Sequence, residues 1–413
     1  MLKETPLIEE HRRLGAKFMS FHGWKLPLEF SGATAEHLNV RNKVGLFDVS
    51  HLGEIRVRGK NVLPFLEKCL TNNVSALKEN QIQYNLLCNE QGGIIDDLIL
   101  YCLKPDEDYL LCVNASRLKT DFNWLYQTGQ KLANSEPHLP LEKSSQKTQN
   151  LSSPPTFAIA GSKGLNKISI NQHKAHNDNI SLQDESNQWA QLALQGPKAL
   201  SLMTKVLGFS SSLDIKKNHS QWFSFSGEGI LVSATGYTGE KGVEILISTK
   251  KVNELWRAIL EKGKTQGCLP VGLAARDTLR MEMKYPLYGK DLNENIDPHS
   301  AGLSWAVKNQ NNFIGSRVLS KMKKNIKKKW VGFKILQPSG VPRQGYRIFI
   351  DGSLKGEVTS GAKSPVLNQM IGLGYVPIEY AFPNQRIQVE IHQNLIPAEI
   401  VATPFIKKYI NLV

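Results

Sequence analysis

Between Tyr84 and Asn114 the chain reads YNLLCNEQGGIIDDLILYCLKPDEDYLLCVN, three apolar runs divided by two turn signals. The first turn is Asn89-Glu90-Gln91-Gly92-Gly93 and the second Lys104-Pro105-Asp106-Glu107-Asp108. Short β-rich runs bounded by Gly, Pro, Asn and Asp predict consecutive antiparallel strands, a meander. The middle strand opens with adjacent carboxylates, Asp96 and Asp97. Strand side chains alternate, which groups Asp96 with Leu98, Leu100 and Cys102, and Asp97 with Ile99, Tyr101 and Leu103. Both sets are apolar beyond the acids, so the strand is expected to be covered on both faces. A carboxylate there either turns out at the turn or stands against a cavity at a desolvation cost. One of the two is the catalytic candidate.

At 413 residues the chain exceeds one ordinary core, and about two or three domains are expected. Hydrophobic content of 41% and charged content of 21% fit a soluble globular protein. No apolar run reaches membrane-spanning length. The opening MLKETPLIEEHRRLGAKF lacks an apolar signal core, and its early acids argue against a transit peptide. Cytoplasmic residence is the expectation. Cys69, Cys88, Cys102, Cys112 and Cys268 form no CxxC pair and read as small core hydrophobes rather than metal ligands or disulfides. Lys plus Arg outnumber Asp plus Glu by 51 to 37, a net charge of +14. That balance points to an anionic partner. The densest basic block, Lys321 to Trp330, reads as a solvated linker or helix face, without the aromatic interleaving of a single-strand nucleic acid platform.

Along the chain, Ser50 and His51 follow Asp48, but strand neighbours point to opposite faces, which argues against a hydrolytic triad. Ile55 to Val57 alternates as a strand. Val62, Phe65, Leu66 and Cys69 recur at helical spacing. From about 133 to 178 the chain turns polar and loses periodicity, the pattern of a disordered insertion. His173 and His176 lie within it with no companion acids or cysteines, so no metal site is expected. Ala190 to Gln195 is a strand ending at Gly196-Pro197, and Ala199 to Leu207 a helix. The loop Thr235 to Gly242 lacks a phosphate-cradling spacing. After it comes Glu244, an acid in a β-branched run, which alternation alone leaves open as a solvent-face residue of an edge strand. Gly272 to Met283 is a helix with Arg276 and Arg280 one turn apart on one face. Either ion pairs or a bidentate hold on a ligand carboxylate would account for them. Residues 330–413 alternate short strands with Gly/Pro turns, a small all-β barrel.

Several segments carry a family resemblance: FHGW at 21–24, FDVSH at 47–51, GGIIDDLILY at 92–101, LALQGP at 192–197 and TGYTGEKGVEI at 235–245. GLAARDTLRMEMKYPLYGKDL at 272–292, AGLSWAVK at 301–308 and SGAKSPVLNQMIGLGYVP at 360–377 continue it. In this order they resemble the aminomethyltransferase, or T-protein, family of the glycine cleavage system, everywhere but near 133–178. The resemblance implies an α+β fold: a folate-binding region of two subdomains with antiparallel sheets over 1–318, then a C-terminal β-barrel over 326–413. It implies transfer of the methylene of an aminomethyl group, carried on the lipoyl arm of H-protein, to tetrahydrofolate. Ammonia leaves and 5,10-methylenetetrahydrofolate forms. By the same resemblance the catalytic acid falls on Asp96. Tyr237, Glu244 and Arg276 fall on folate-contacting positions, as do Tyr84 and Asn114. Where relatives carry an arginine after Pro-Phe this chain has Ile406-Lys407-Lys408; Lys408 keeps the charge without bidentate geometry.

The resemblance implies a monomer in transient contact with H-protein. A folate-dependent demethylase of the same fold is the alternative chemistry. Assembly helpers of iron–sulfur clusters are disfavoured, because Thr235 to Glu240 contains no cysteine. A nucleic-acid-binding module rests only on the +14 charge and would show steep salt dependence.

Overall fold

The computed structural model describes residues 1–135, 167–170, 180–211, 213–308 and 313–406. The meander forms as its turn chemistry requires: strands Ile82–Cys88, Ile94–Lys104 and Asp108–Val113 pair antiparallel in sequence order. Gly92 takes φ 84°, a left-handed turn conformation, and a Cβ on Gly93 would stand 1.7 Å from the carbonyl oxygen of Glu294. A side chain at either position would open the first turn.

Strand Gly53–Arg58 adds beside Asp108–Val113, and Ile180–Asp184 and Lys167–Ile170 complete a six-stranded sheet among the described residues. The stretch 133–178, expected to be structureless, therefore contributes a strand, and helix Leu118–Ser135 runs into its start. His173, His176 and most of that stretch lie outside the described residues. A second six-stranded sheet takes Ser220–Phe225, Glu228–Ser233, Gly242–Ser248, Trp189–Gln195, Val44–Asp48 and Cys268–Pro270 in that spatial order.

The two sheets pack face to face. Ile82, Tyr101, Leu110 and Cys112 of the first meet Trp189, Leu231 and Leu246 of the second. Alternation sends the other face of each sheet to helices. Leu98, Leu100 and Leu111 bury against Val62, Phe65, Leu66 and Leu125. Val243, Ile245 and Ile247 bury against Leu202, Met203, Leu255 and Trp256. Four layers result, helix–sheet–sheet–helix. The strand carrying Glu244 is interior, paired on both sides, which removes the edge-strand reading.

Helix Leu273–Glu282 lies along the inner side of the second sheet, with Ala275 and Leu279, one turn apart, against Val40, Phe47 and Ala193. Its residues are mostly strong helix formers, and Lys284, at φ 55°, ends the run. The C-terminal strands between Lys328 and Val401 close into a six-stranded barrel, so the structure has the α+β fold with a barrel and sheets that are antiparallel apart from pairs such as Cys268–Pro270 with Val44–Asp48. The barrel docks through a polar knot. Arg280 Nη1 donates to Asp291 Oδ2 at 2.6 Å and Nη2 to Ser360 at 2.9 Å. Asp291 Oδ1 accepts from Thr359 at 2.5 Å and Ser360 at 2.8 Å, and Tyr375 donates to the Asp291 carbonyl at 2.9 Å. Arg280 and Asp291 are both out of solvent.

Every lone pair and proton of this pair that matters is matched, so breaking it strands a charge. Arg280→Met is expected to lower unfolding free energy by about 3–5 kcal/mol, the range for orphaning one partner of a buried pair. Urea denaturation checks this; a loss below about 1 kcal/mol would mean that the knot adds little to stability.

Candidate active site

Register decides which acid faces what. Across the first hairpin Tyr84 pairs with Ile99 and Leu86 with Asp97, whereas Leu87 pairs with Asp96. Cross-strand partners share a face. Asp97 therefore lies on the side of Tyr84, Ile99 and Tyr101, toward the second sheet. Asp96 lies on the side of Leu98 and Leu100, toward the helices, and has no solvent exposure. Asp96, expected as the reacting acid, is thus covered by the helix layer, and its neighbour Asp97 faces the second sheet.

Asp97 is half-buried. Tyr84 Oη donates to its Oδ2 at 3.0 Å, and Asn114 Nδ2 to its Oδ1 at 3.0 Å. Burial pushes its pKa up to about 6, against the pull of those two donors. Asn114 stands just past the third meander strand, and its Nδ2 also reaches Asp96 Oδ1 at 2.8 Å and the Asp97 carbonyl at 3.0 Å. The Tyr84 ring stacks on Trp305, centroids 5.2 Å apart, and Trp305 is 53% exposed. The segment leading to Trp305 is held at the start of the central strand, where Tyr288 Oη donates to the Ile94 carbonyl at 3.0 Å and Ile94 N to Ile296 O at 2.9 Å.

The second sheet supplies the opposite wall. Glu244 is 8% exposed and accepts from Thr235 Oγ1 at 2.6 Å through Oε2. On the same face Ser233 Oγ lies 3.4 Å from Tyr101 Oη, and Cys112 Sγ donates to Gln191 Oε1 at 3.3 Å. Arg276 projects from helix Leu273–Glu282 over the Tyr237 ring, 4.7 Å from its centroid. Tyr237 in turn stacks on Tyr285 at 5.8 Å and donates to the Pro286 carbonyl at 2.5 Å. Burial lowers the pKa of Arg276 while Glu244 and Tyr237 work against that shift. Its Nη1 is buried and meets no acceptor among the described residues. Arg280, its helix neighbour, is spent on Asp277 and Asp291. The two arginines thus divide the alternatives open in the sequence: one ion-paired, one free to take a ligand.

Tyr84 and Asn114 bond to Asp97, Arg276 lies over Tyr237 with Glu244 near enough to act on its charge, and Tyr237 is near enough to Asp97 to feel its charge; Lys408 lies outside the described residues. Sequence reasoning passed over Trp305, although it stands in the GLSW segment, and Thr235. It also passed over Asp121, whose signal was available: it interrupts the helical stripe Leu118, Phe122, Leu125. The arrangement offers one ionisable carboxylate held by two donors, a second carboxylate, a free guanidinium nitrogen and aromatic walls. It suits a planar polar ligand with N–H groups, and a proton transfer beside it.

Known proteins share this chain throughout. The family model described as the GCVT N-terminal domain matches residues 7–163 and 153–311, and that of the Glycine cleavage T-protein C-terminal barrel domain matches 328–407. The aminomethyltransferase of Halothermothrix orenii is 41% identical over 408 residues, covering 98% of this chain and all of that one. That of Bdellovibrio bacteriovorus is 38% identical over 410 residues with the same coverage. The crystal structure of glycine cleavage system aminomethyltransferase T from Bartonella henselae superposes with a TM-score of 0.80 at 28% identity, covering 98% and 99% of the two chains.

The Asp97 carboxyl is expected to titrate near pH 6. Because the Tyr84 hydroxyl favours the ionised form, Tyr84→Phe should move that titration upward by about one unit. Carbon-13 NMR of labelled aspartate measures it; a downward or absent shift would separate Tyr84 from this carboxylate.

Proposed function

The chain belongs to the glycine cleavage T-protein family, and on that premise we propose which of its groups carry the aminomethyltransferase reaction. The enzyme transfers the methylene of the aminomethyl group on the lipoyl arm of H-protein to tetrahydrofolate, with release of ammonia. A demethylase of the same fold is not favoured, since the full-length relatives are aminomethyltransferases. Among the described residues no helix is long and apolar enough to cross a membrane.

The residues fit a reduced pterin. Glu244 has an oxygen beyond the one bonded to Thr235, ready to accept from ring N–H and amino groups. The unpartnered Arg276 Nη1 supplies a donor to a carbonyl or carboxylate. Tyr84 with Trp305, and Tyr237 with Tyr285, give flat apolar surfaces that exclude water. When bound, tetrahydrofolate supplies the two amine nitrogens that take up the one-carbon unit. Asp97 is the acid–base group beside them. Tyr84 and Asn114 hold both of its oxygens, and at neutral pH a carboxylate titrating near 6 is mostly ionised. It takes the proton that an attacking amine loses and stabilises positive charge that builds as ammonia departs. H-protein brings the lipoyl arm, and polyglutamyl folate or an acidic partner surface accounts for the net charge of +14.

One observation carries this reading. Of two adjacent acids, Asp97 alone takes the Tyr84 hydroxyl and faces the second sheet, with Tyr237, the ring under Arg276, near enough to feel its charge, which supports the reading. The test is ammonia release from aminomethylated H-protein with and without tetrahydrofolate. Asp97→Asn is expected to lose about 10²–10⁴-fold in turnover while folate affinity stays within about tenfold. Glu244→Ala or Arg276→Ala should weaken folate binding by about 1–3 kcal/mol, as for a lost hydrogen bond to a charged group. Full turnover in Asp97→Asn would remove it from the chemistry, and unchanged affinity in both other variants would return them to a structural role.

A further inference from the structure

Behind the site, on the helix-facing side of strand Ile94–Lys104, Asp96 meets Asp121, and neither is exposed. Asp96 accepts from Asn114 with both oxygens, from Nδ2 to Oδ1 at 2.8 Å and from the backbone N to Oδ2 at 3.1 Å. Asp121 comes from helix Leu118–Ser135 and stands in its apolar stripe. Neither Asp121 oxygen receives an N–H or O–H from another group among the described residues. Its carboxyl lies within hydrogen-bonding reach of Asp96. The cation at hand, Arg117, donates to Glu294 at 2.7 Å and covers the Tyr288 ring at 5.0 Å; its buried Nε meets no acceptor among the described residues and it acts on Asp121 through space, without a hydrogen bond. Two ionised carboxylates so placed would repel in a poorly screened interior. A proton between them removes the repulsion and gives Asp121 the partner it lacks.

We propose that Asp96 and Asp121 hold one proton between them and act as a positioning pair for Asp97. The proton's place matters. Held by Asp121 and donated to Asp96, it leaves Asp96 an acceptor on both sides. That fixes the Asn114 amide with its NH₂ inward, and the same NH₂ reaches Asp97 Oδ1. Were the proton on the Asn114 side of Asp96, an O–H would face an N–H and the amide would turn. Burial and the facing carboxyls push both members of the pair up, so that it still holds one proton above neutral pH. The titratable and charged groups facing the pair are Asp97 and Tyr84 from the meander, Arg117 at the helix start, and Tyr288 and Glu294 from the segment packed over it. Neither member of the pair touches substrate. The inference rests on the reading of Asp97 as the reacting acid.

Comparison of Asp121→Leu with Asp121→Asn tests it, because only the second keeps a donor for Asp96. In Asp121→Leu the Asn114 amide loses its fixed orientation and Asp97 a stabilising donor. Its kcat should fall about tenfold with folate KM within about twofold, and the acid limb of the pH–rate profile should move up by about half a unit or more. Asp121→Asn should recover most of kcat and the wild-type limb. Infrared spectra of the unaltered protein at about pH 8 should carry the band of a neutral carboxyl, lost in both Asp121→Asn and Asp96→Asn. Absence of that band in the wild type, or equal impairment of both Asp121 variants with an unmoved limb, overturns the pair even if Asp97→Asn is inactive. An active Asp97→Asn overturns the reading of Asp97, and the positioning role with it, whatever the spectra show.

Discussion

Asp96 and Asp97 are neighbours in the chain yet cannot share surroundings, because consecutive side chains of a strand leave opposite faces of the sheet. On this strand both faces are covered, one by the helices that bury Leu98 and Leu100, the other by the second sheet. Two adjacent carboxylates are therefore forced into two separate environments. Asp97 faces the second sheet and takes the Tyr84 hydroxyl. Asp96 is sealed with Asp121. Asn114 spans the strand's end and donates to both acids, so the environments stay in communication through one amide.

The site is held open by parts far from it in sequence. Helix Leu273–Glu282 presents Arg276 to the site and commits Arg280, one turn later, to the barrel interface. That division is a consequence of helical geometry meeting different neighbours: Tyr237 and Glu244 on one side, Asp291 and Ser360 on the other. The buried Arg280–Asp291 knot fixes the segment after the helix, and that segment lays Tyr288 over the meander and delivers Trp305 to Tyr84. The close approach of Gly93 to the Glu294 carbonyl lets the two meet. The barrel thus holds this segment through Thr359, Ser360 and Tyr375 and through the apolar packing of Trp330, Ile371 and Leu373.

Much of this was legible beforehand. Turn residues and alternating runs located the meander. Helical spacing located Val62–Cys69, Ala199–Leu207 and Leu273–Glu282. Short strands between Gly and Pro turns signalled the barrel. Which acid faces the second sheet was not legible. Alternation said that the two differ but not which side is which, since the first hairpin carries an irregular register between Leu87 and Cys88. A one-residue slip exchanges the faces. Nor could alternation tell an interior strand from an edge for Glu244, because its second neighbour, the strand of Ala193, is not the strand next to it in the chain.

Local chemistry in the sequence determined the strands, the helices, the turns between them and the presence of two adjacent acids in an apolar run, because those depend on residues a few positions apart. Only the tertiary structure decided that Asp97 faces the second sheet and Asp96 the helices, that Arg276 Nη1 meets no acceptor among the described residues where Arg280 is ion-paired, and that Asp121 comes to rest beside Asp96. Those outcomes depend on which surfaces the two sheets, the helices and the barrel turn toward one another. Such choices are made by burial and pairing between different elements, from Arg280 and Asp291, 11 positions apart, to Arg41 and Thr238, 197 apart, beyond the reach of any periodicity.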